Sequence, residues 1–269
     1  MVQKQHTLKT AALSIIPTVI CIIGSTIGAN LVLSEVAQAL LFSATAGLVA
    51  GGLITEVVPD INRVEGHKNK QLYAMGGIII GATVMLILGN FSTDNGQETG
   101  AKSVPEGEII ENAKFPITLV GAAYADVAVG SLLLAHGLKE GTNPPALISA
   151  AVEVAMVSVT VMGIMKVKKC STAMKTLGAC ILTSGTVLGA YVGLNREGDG
   201  VMMSTPFLAG VMTSVVLWLV VLDLVPEALH AGNKQWWVGA LWLATTSIGM
   251  FIGWKVEDGR RVVIEDVPV

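Results

Sequence analysis

Two carboxylates carry most of the chemistry this chain could do. Asp126 and Glu153 lie near the middles of two apolar stretches, 115–138 and 145–165, joined by the short turn Lys139-Glu140-Gly141-Thr142-Asn143-Pro144-Pro145. An acid at the centre of a lipid-spanning helix costs at least ~2.5 kcal/mol on insertion scales, so it is expected to face a partner, a cavity or a pathway. Two carboxylates without imidazole or thiolate favour hard or borderline divalent ions such as magnesium, manganese or ferrous iron. Neighbouring oxygens could complete the shell, and Ser149, Thr183 and Ser184 are the first candidates, with Thr186, Tyr124 and Asn30 behind them. Zinc held by carboxylates and water alone is possible but less favourable than zinc held by nitrogen or sulfur. The plainer alternative makes each acid neutral, hydrogen-bonded to a hydroxyl or carbonyl after desolvation.

The elements that must position these acids are membrane spans. The chain is 52% hydrophobic and 14% charged, with a mean hydropathy of +0.66, whereas about a quarter of the residues in a soluble domain are charged. Apolar runs of the ~20 residues needed to cross hydrocarbon recur along its length. Eight are expected, at about 10–33, 37–58, 72–92, 115–138, 145–165, 173–194, 205–228 and 236–254. Pro59 ends the second, Asn143 and Pro144 start the fifth, and Trp236, Trp237 and Trp254 mark the interfaces of the eighth. The first run is longer than a signal-peptide core and reads as a span. A flexible acidic loop is expected over 93–114, and 1–269 reads as one membrane domain. No basic block suggests nucleic acid. Cys21, Cys170 and Cys180 lack the spacing of a disulfide framework or a zinc knuckle.

The two ends of the chain repeat each other. Gly24-Ser25-Thr26-Ile27-Gly28-Ala29 matches Gly185-Thr186-Val187-Leu188-Gly189-Ala190, and Ala46-Gly47 matches Ala209-Gly210. Glu56-Val57-Val58-Pro59-Asp60 likewise matches Asp223-Leu224-Val225-Pro226-Glu227. A three-span unit used twice, over about 10–92 and 173–254, must enter the membrane in opposite senses. That is an inverted repeat, the plan of secondary transporters. The fourth and fifth spans fall between the copies, so the expected fold is all-α, eight transmembrane helices in a 3+2+3 bundle. Small-residue packing motifs that recur by chance are the alternative.

This layout resembles the ZIP (Zrt/Irt-like) metal transporters. Ala46-Gly47-Leu48-Val49 through Asp60 is similar to the family's second-span pattern, and Ala209-Gly210-Val211-Met212 with Asp223 to Glu227 to its seventh. Against the family's fourth- and fifth-span signatures, Ala125-Asp126-Val127-Ala128-Val129-Gly130 and Val152-Glu153-Val154-Ala155-Met156-Val157 align by depth. Only Asp126 and Glu153 keep metal-competent side chains; the family's histidine and glutamate positions hold Ala125, Val129, Val152 and Met156. A second register places His136 and Glu140 on the fourth-span motif, at the end of the span. The resemblance implies a membrane transporter for a zinc-, iron- or manganese-type cation, with the metal as substrate and no permanently bound cofactor.

Glu56, Asp60, Asp223 and Glu227, near span ends, would form acidic vestibules or simply end helices. The expected partners are the lipid bilayer, a divalent cation and, as a candidate, a second copy of the chain. A proton-coupled or other small-solute carrier on the same scaffold, or a transport-inactive structural subunit, stays open. An enzyme is not expected, since no histidine pair, serine–histidine set or G-x-S-x-G elbow falls within a span. The termini share a side carrying ten of the lysines and arginines against seven. That split leans toward termini inside, whereas the family resemblance implies termini outside.

Overall fold

The computed structural model describes residues 12–53, 70–93, 115–140, 144–195, 200–233 and 235–265. Every regular element among them is helical. In order these are α1 (Ile16–Asn30), α2 (Glu35–Gly52), α3 (Lys70–Thr93), α4 (Ile117–Glu140), α5 (Pro144–Val167) and α6 (Thr172–Asn195). Then α7 (Gly200–Trp218) runs through a π-helical stretch (Leu219–Leu224) into α8 (Val225–Ala231), and α9 (Trp236–Glu265) follows. Five stretches are long and apolar enough to cross a membrane: Ala12–Asn30, Gln71–Leu88, Leu147–Val167, Thr172–Asn195 and Pro206–Ala231. Glu35–Gly51 and Ile117–Leu132 are shorter apolar helices. Glu56, Asp60 and the expected acidic loop beyond Thr93 lie outside the described residues.

Apolar side chains cover the outside of this bundle. Ile22, Ile23 and Ile27 on α1, Ile79 and Leu86 on α3, and Leu188 and Tyr191 on α6 are all exposed. Small and hydroxyl-bearing residues fill much of the inside, among them Ala39, Ala46, Ala122, Ala123, Thr45, Ser158, Thr160 and Thr186. Continuous apolar exteriors of this extent mark contact with lipid or protein. Small residues at the interfaces are how lipid-embedded helices bring their backbones together.

Four close helix pairs dominate the packing: α1 with α5, α4 with α6, α3 with α7, and α2 with α9. Glycine sets their spacing. A Cβ at Gly28 would strike the Val159 carbonyl oxygen, and one at Gly189 would strike that of Ala128. The order of contacts also gives direction. Gly24 meets Ala155 and Ser158, then Gly28 meets Val159 and Met162, so α1 and α5 run parallel. By the same test Gly185 then Gly193 advance along α4 from Tyr124 to Ala135, Gly77 then Gly81 along α7, and Gly47 then Gly51 along α9. All four pairs are therefore parallel.

The end of α5 is fixed by its backbone. The Cys170 N–H donates to the Met165 carbonyl at 2.9 Å and the Lys169 N–H to the Lys166 carbonyl at 3.0 Å. With Lys169 at φ 54°, this is a Schellman cap whose left-handed position, usually glycine, is a lysine. Two further lysines fasten the same end to its neighbours. Lys166 Nζ donates to the Asn30 carbonyl at the end of α1, at 2.8 Å, and Lys168 Nζ pairs with Glu227 of α8 at 2.7 Å.

Candidate functional site

Asp126 is the tenth residue of α4, and Glu153 the tenth of α5. Both line one small cavity of about 10 Å³, room for one water-sized body. Asp126 is 2% exposed, and its Oδ1 has no hydrogen-bond partner among the described residues. In a medium without water such an atom forfeits several kcal/mol, roughly, so the geometry around it is a candidate for ligand binding.

The remaining lining comes from three helices. Gly130 and Ser131 of α4 and Ala150 of α5 lie beside the acids, and Pro17 closes the cavity from α1. Pro17 sits in the first turn of α1, two residues after Ile15, whose N–H reaches the Ala12 carbonyl at 3.3 Å. A proline has no N–H to continue the ladder through this point. Ser131 is 3% exposed, and its Oγ is likewise without a partner among the described residues.

Three residues separate α4 from α5, and a connection that short is expected to join antiparallel neighbours. Asp126 stands fourteen residues before the end of α4, whereas Glu153 stands nine after the start of α5. At 1.5 Å per residue the two acids are staggered by ~7.5 Å along the axis. Ser131, nine residues before the end of α4, is the residue about level with Glu153. On this ideal count Ser131 falls opposite Glu153, and all three residues line the same cavity.

The other expected ligands are placed elsewhere. Ser149 is one turn before Glu153 and is absent from the lining. Thr183 turns toward Cys21 of α1, Oγ1 to Sγ 4.0 Å. Ser184 is exposed and donates to its own helix at the Ile181 carbonyl, 2.7 Å. Tyr124 packs against Gly185, and Asn30 donates back to the Thr26 carbonyl. The side chains of His136 and Glu140 lie outside the described residues. Asp223 falls in the π-helical stretch, half-buried, with Oδ2 unpartnered among the described residues; Glu227 is engaged by Lys168. Among the described residues no three His, Cys, Asp or Glu side chains converge as a metal group would require.

Sequence spacing reached the two acids but not Ser131 or Pro17. Ser131 follows Asp126 by five residues, outside the i+3 and i+4 rule for a shared face. It enters because two neighbouring rows, Asp126–Gly130 and Val127–Ser131, face the cavity together.

The α4 and α5 contacts also define a register. The Tyr124 carbonyl lies under Gly185 as that of Ala155 lies under Gly24, and Ala128 under Gly189 as Val159 under Gly28. Each α4 residue thus corresponds to the α5 residue 31 positions later. By that rule Asp126 corresponds to Val157 and Glu153 to Ala122, both apolar and at most 1% exposed. The acids are not counterparts of each other. No protein-family model matches this sequence, and no curated protein is detectably similar to it.

Proposed function

We propose that this protein is a membrane transporter of ZIP-like plan that moves a divalent cation through the site between α4 and α5. The observation that carries the reading is the Asp126 carboxylate, buried at mid-helix, with an oxygen unpartnered among the described residues and sharing a cavity with Glu153. Acids placed so inside an apolar bundle are costly and are characteristically functional. The donors are all oxygen, a set that suits hard ions such as manganese or magnesium better than zinc. A cavity of about 10 Å³ accommodates a dehydrated ion or one water, and it is too small for an organic solute.

The reading includes the 3+2+3 inverted repeat expected from the sequence. Numbering the expected spans one to eight, exchange one with six, two with seven, three with eight and four with five. The pair α1–α5 then becomes α6–α4, and α2–α9 becomes α7–α3, so the four dominant contacts map onto one another. Gly24 and Gly28 bear on α5 as Gly185 and Gly189 bear on α4, the matches read from sequence. Eight alternating crossings give the same parallel pairs, since the partners are separated by an even number of spans. Inverted repeats with a site near their interface are built for alternating access.

The test is thermal unfolding of the purified chain against MnCl2, with manganese uptake into proteoliposomes alongside. Stabilisation and uptake are expected, and both are lost in Asp126→Ala and Glu153→Ala. Stabilisation that survives both substitutions sinks the assignment. A proton-coupled carrier is the second reading, favoured by how little room the cavity offers. It predicts a pH response at Asp126 with none to metal.

A further inference from the structure

Resting on that cation reading, we infer that the Ser131 hydroxyl is a direct third ligand of the ion and makes the site prefer hard cations over zinc and cadmium.

Hydroxyls in these helices characteristically turn back on their own backbone. Thr26 donates to the Ile22 carbonyl, Thr45 to Leu41, Thr83 to Ile79, Ser158 to Val154, Thr213 to Ala209 and Ser247 to Leu243, all at 2.7–2.9 Å. That back-bond is the default for Ser and Thr in an apolar helix, because it satisfies the O–H locally. Ser131 departs from it. Its Oγ makes no hydrogen bond among the described residues although the side chain is 3% exposed, and the residue lines the cavity with both acids.

Position and charge assign the rest. Ser131 is about level with Glu153 on the facing helix, while Asp126 lies ~7.5 Å along the axis on ideal geometry. An ion bridging two staggered carboxylates needs an oxygen at Glu153's height on the α4 side, and Ser131 supplies it. Next to it Gly130 leaves open space, for a Cβ there would meet nothing within 4 Å. With two carboxylates already matching a 2+ ion, a neutral third donor adds ligation without excess charge. Its softness then decides which metal fits, since oxygen suits manganese and magnesium while thiolate suits zinc and cadmium.

The experiment measures thermal unfolding of the full chain in detergent, titrated separately with MnCl2 and CdCl2. Ser131→Ala is expected to raise the manganese midpoint by about tenfold, a loss of roughly 1.4 kcal/mol. Ser131→Cys, close in volume, is expected to invert the preference so that cadmium stabilises more than manganese. Ser247→Ala, an exposed hydroxyl on α9, is expected to match the wild type. Should the wild type respond to manganese while Ser131→Ala and Ser131→Cys both respond identically, the serine assignment is overturned and the cation site stands. A wild type silent to both metals, with no manganese uptake in proteoliposomes, overturns the cation reading and the serine role together.

Discussion

The Lys168 ammonium lies 2.7 Å from the Glu227 carboxylate, joining the turn after α5 to the start of α8 across 59 residues of sequence. The two side chains are 33% and 22% exposed, so water and salt screen the pair. A coupling of only ~0.2–1 kcal/mol is expected from a double-mutant cycle of Lys168→Ala and Glu227→Ala. Charge reversal should do more harm. Asp223, one turn before Glu227, lies within electrostatic reach of both partners, so Lys168→Glu gathers three acids at one spot. Its unfolding midpoint in detergent should fall below that of Lys168→Ala, and adding Glu227→Lys should recover most of the loss.

Lys169 holds a left-handed backbone, φ 54°, in a cap that glycine would fill without steric cost. A left-handed residue with a Cβ costs roughly 1–2 kcal/mol, and glycine's extra unfolded-state freedom offsets part of the relief. Lys169→Gly should therefore stabilise by about 0.5–1 kcal/mol. Thermal unfolding beside Lys169→Ala, which keeps the Cβ and should gain nothing, checks this.

Glycine-to-alanine substitutions should separate by position. At Gly189 the new methyl meets the Ala128 carbonyl oxygen, which belongs to a facing helix and cannot swing aside. Forcing α4 from α6 should cost about 1–3 kcal/mol, as overpacking does. Nothing lies within 4 Å of a Cβ at Gly76, so Gly76→Ala should be neutral or stabilise by up to ~1 kcal/mol through helix propensity. Equal midpoints for the two variants would contradict the α4–α6 contact.

Cys170, in the turn between α5 and α6, has its thiol pushed up by burial, with Lys168 and Lys175 drawing it partly back. A raised folded value means the unfolded chain ionises first. Stability from the neutral thiol is present below the ordinary value of 9.0 and is lost as pH rises above it. The wild type should thus lose more thermal stability than Cys170→Ala between pH 8 and 10. Parallel curves would show that the thiol plays no part.

Much of the scaffold was legible because lipid imposes a simple code. Five of the eight expected spans correspond to helices long and apolar enough to cross a membrane, and Pro144 does open α5. The Gly24/Gly28 and Gly185/Gly189 motifs could be matched because close backbone approach tolerates nothing larger, and both sets bear on facing carbonyls. The two acids of the candidate cavity stood out because their cost in an apolar run needs no coordinates to recognise. What escaped depended on rotation and stagger. Thr183 and Ser184 lie at plausible depth yet face α1 and the exterior, and a linear sequence carries no absolute rotation for a helix whose outside is as apolar as its inside. The π-helical stretch Leu219–Leu224 also left no mark, because an i→i+5 turn uses the same residue types as the α-helix around it.

On the proposed inverted repeat, the 31-residue correspondence between α4 and α5 would give the two sides of the membrane unequal footing. Asp126 and Val157 then fall near the middle, whereas Glu153 and Ser131 lie in one half and their counterparts Ala122 and Met162 in the other. A carrier with such a lopsided middle would grip its cargo from one compartment and meet it across an oily plug from the other. Half-saturation should then differ between the two compartments. Detailed balance would require the empty carrier's return rates to make up the difference.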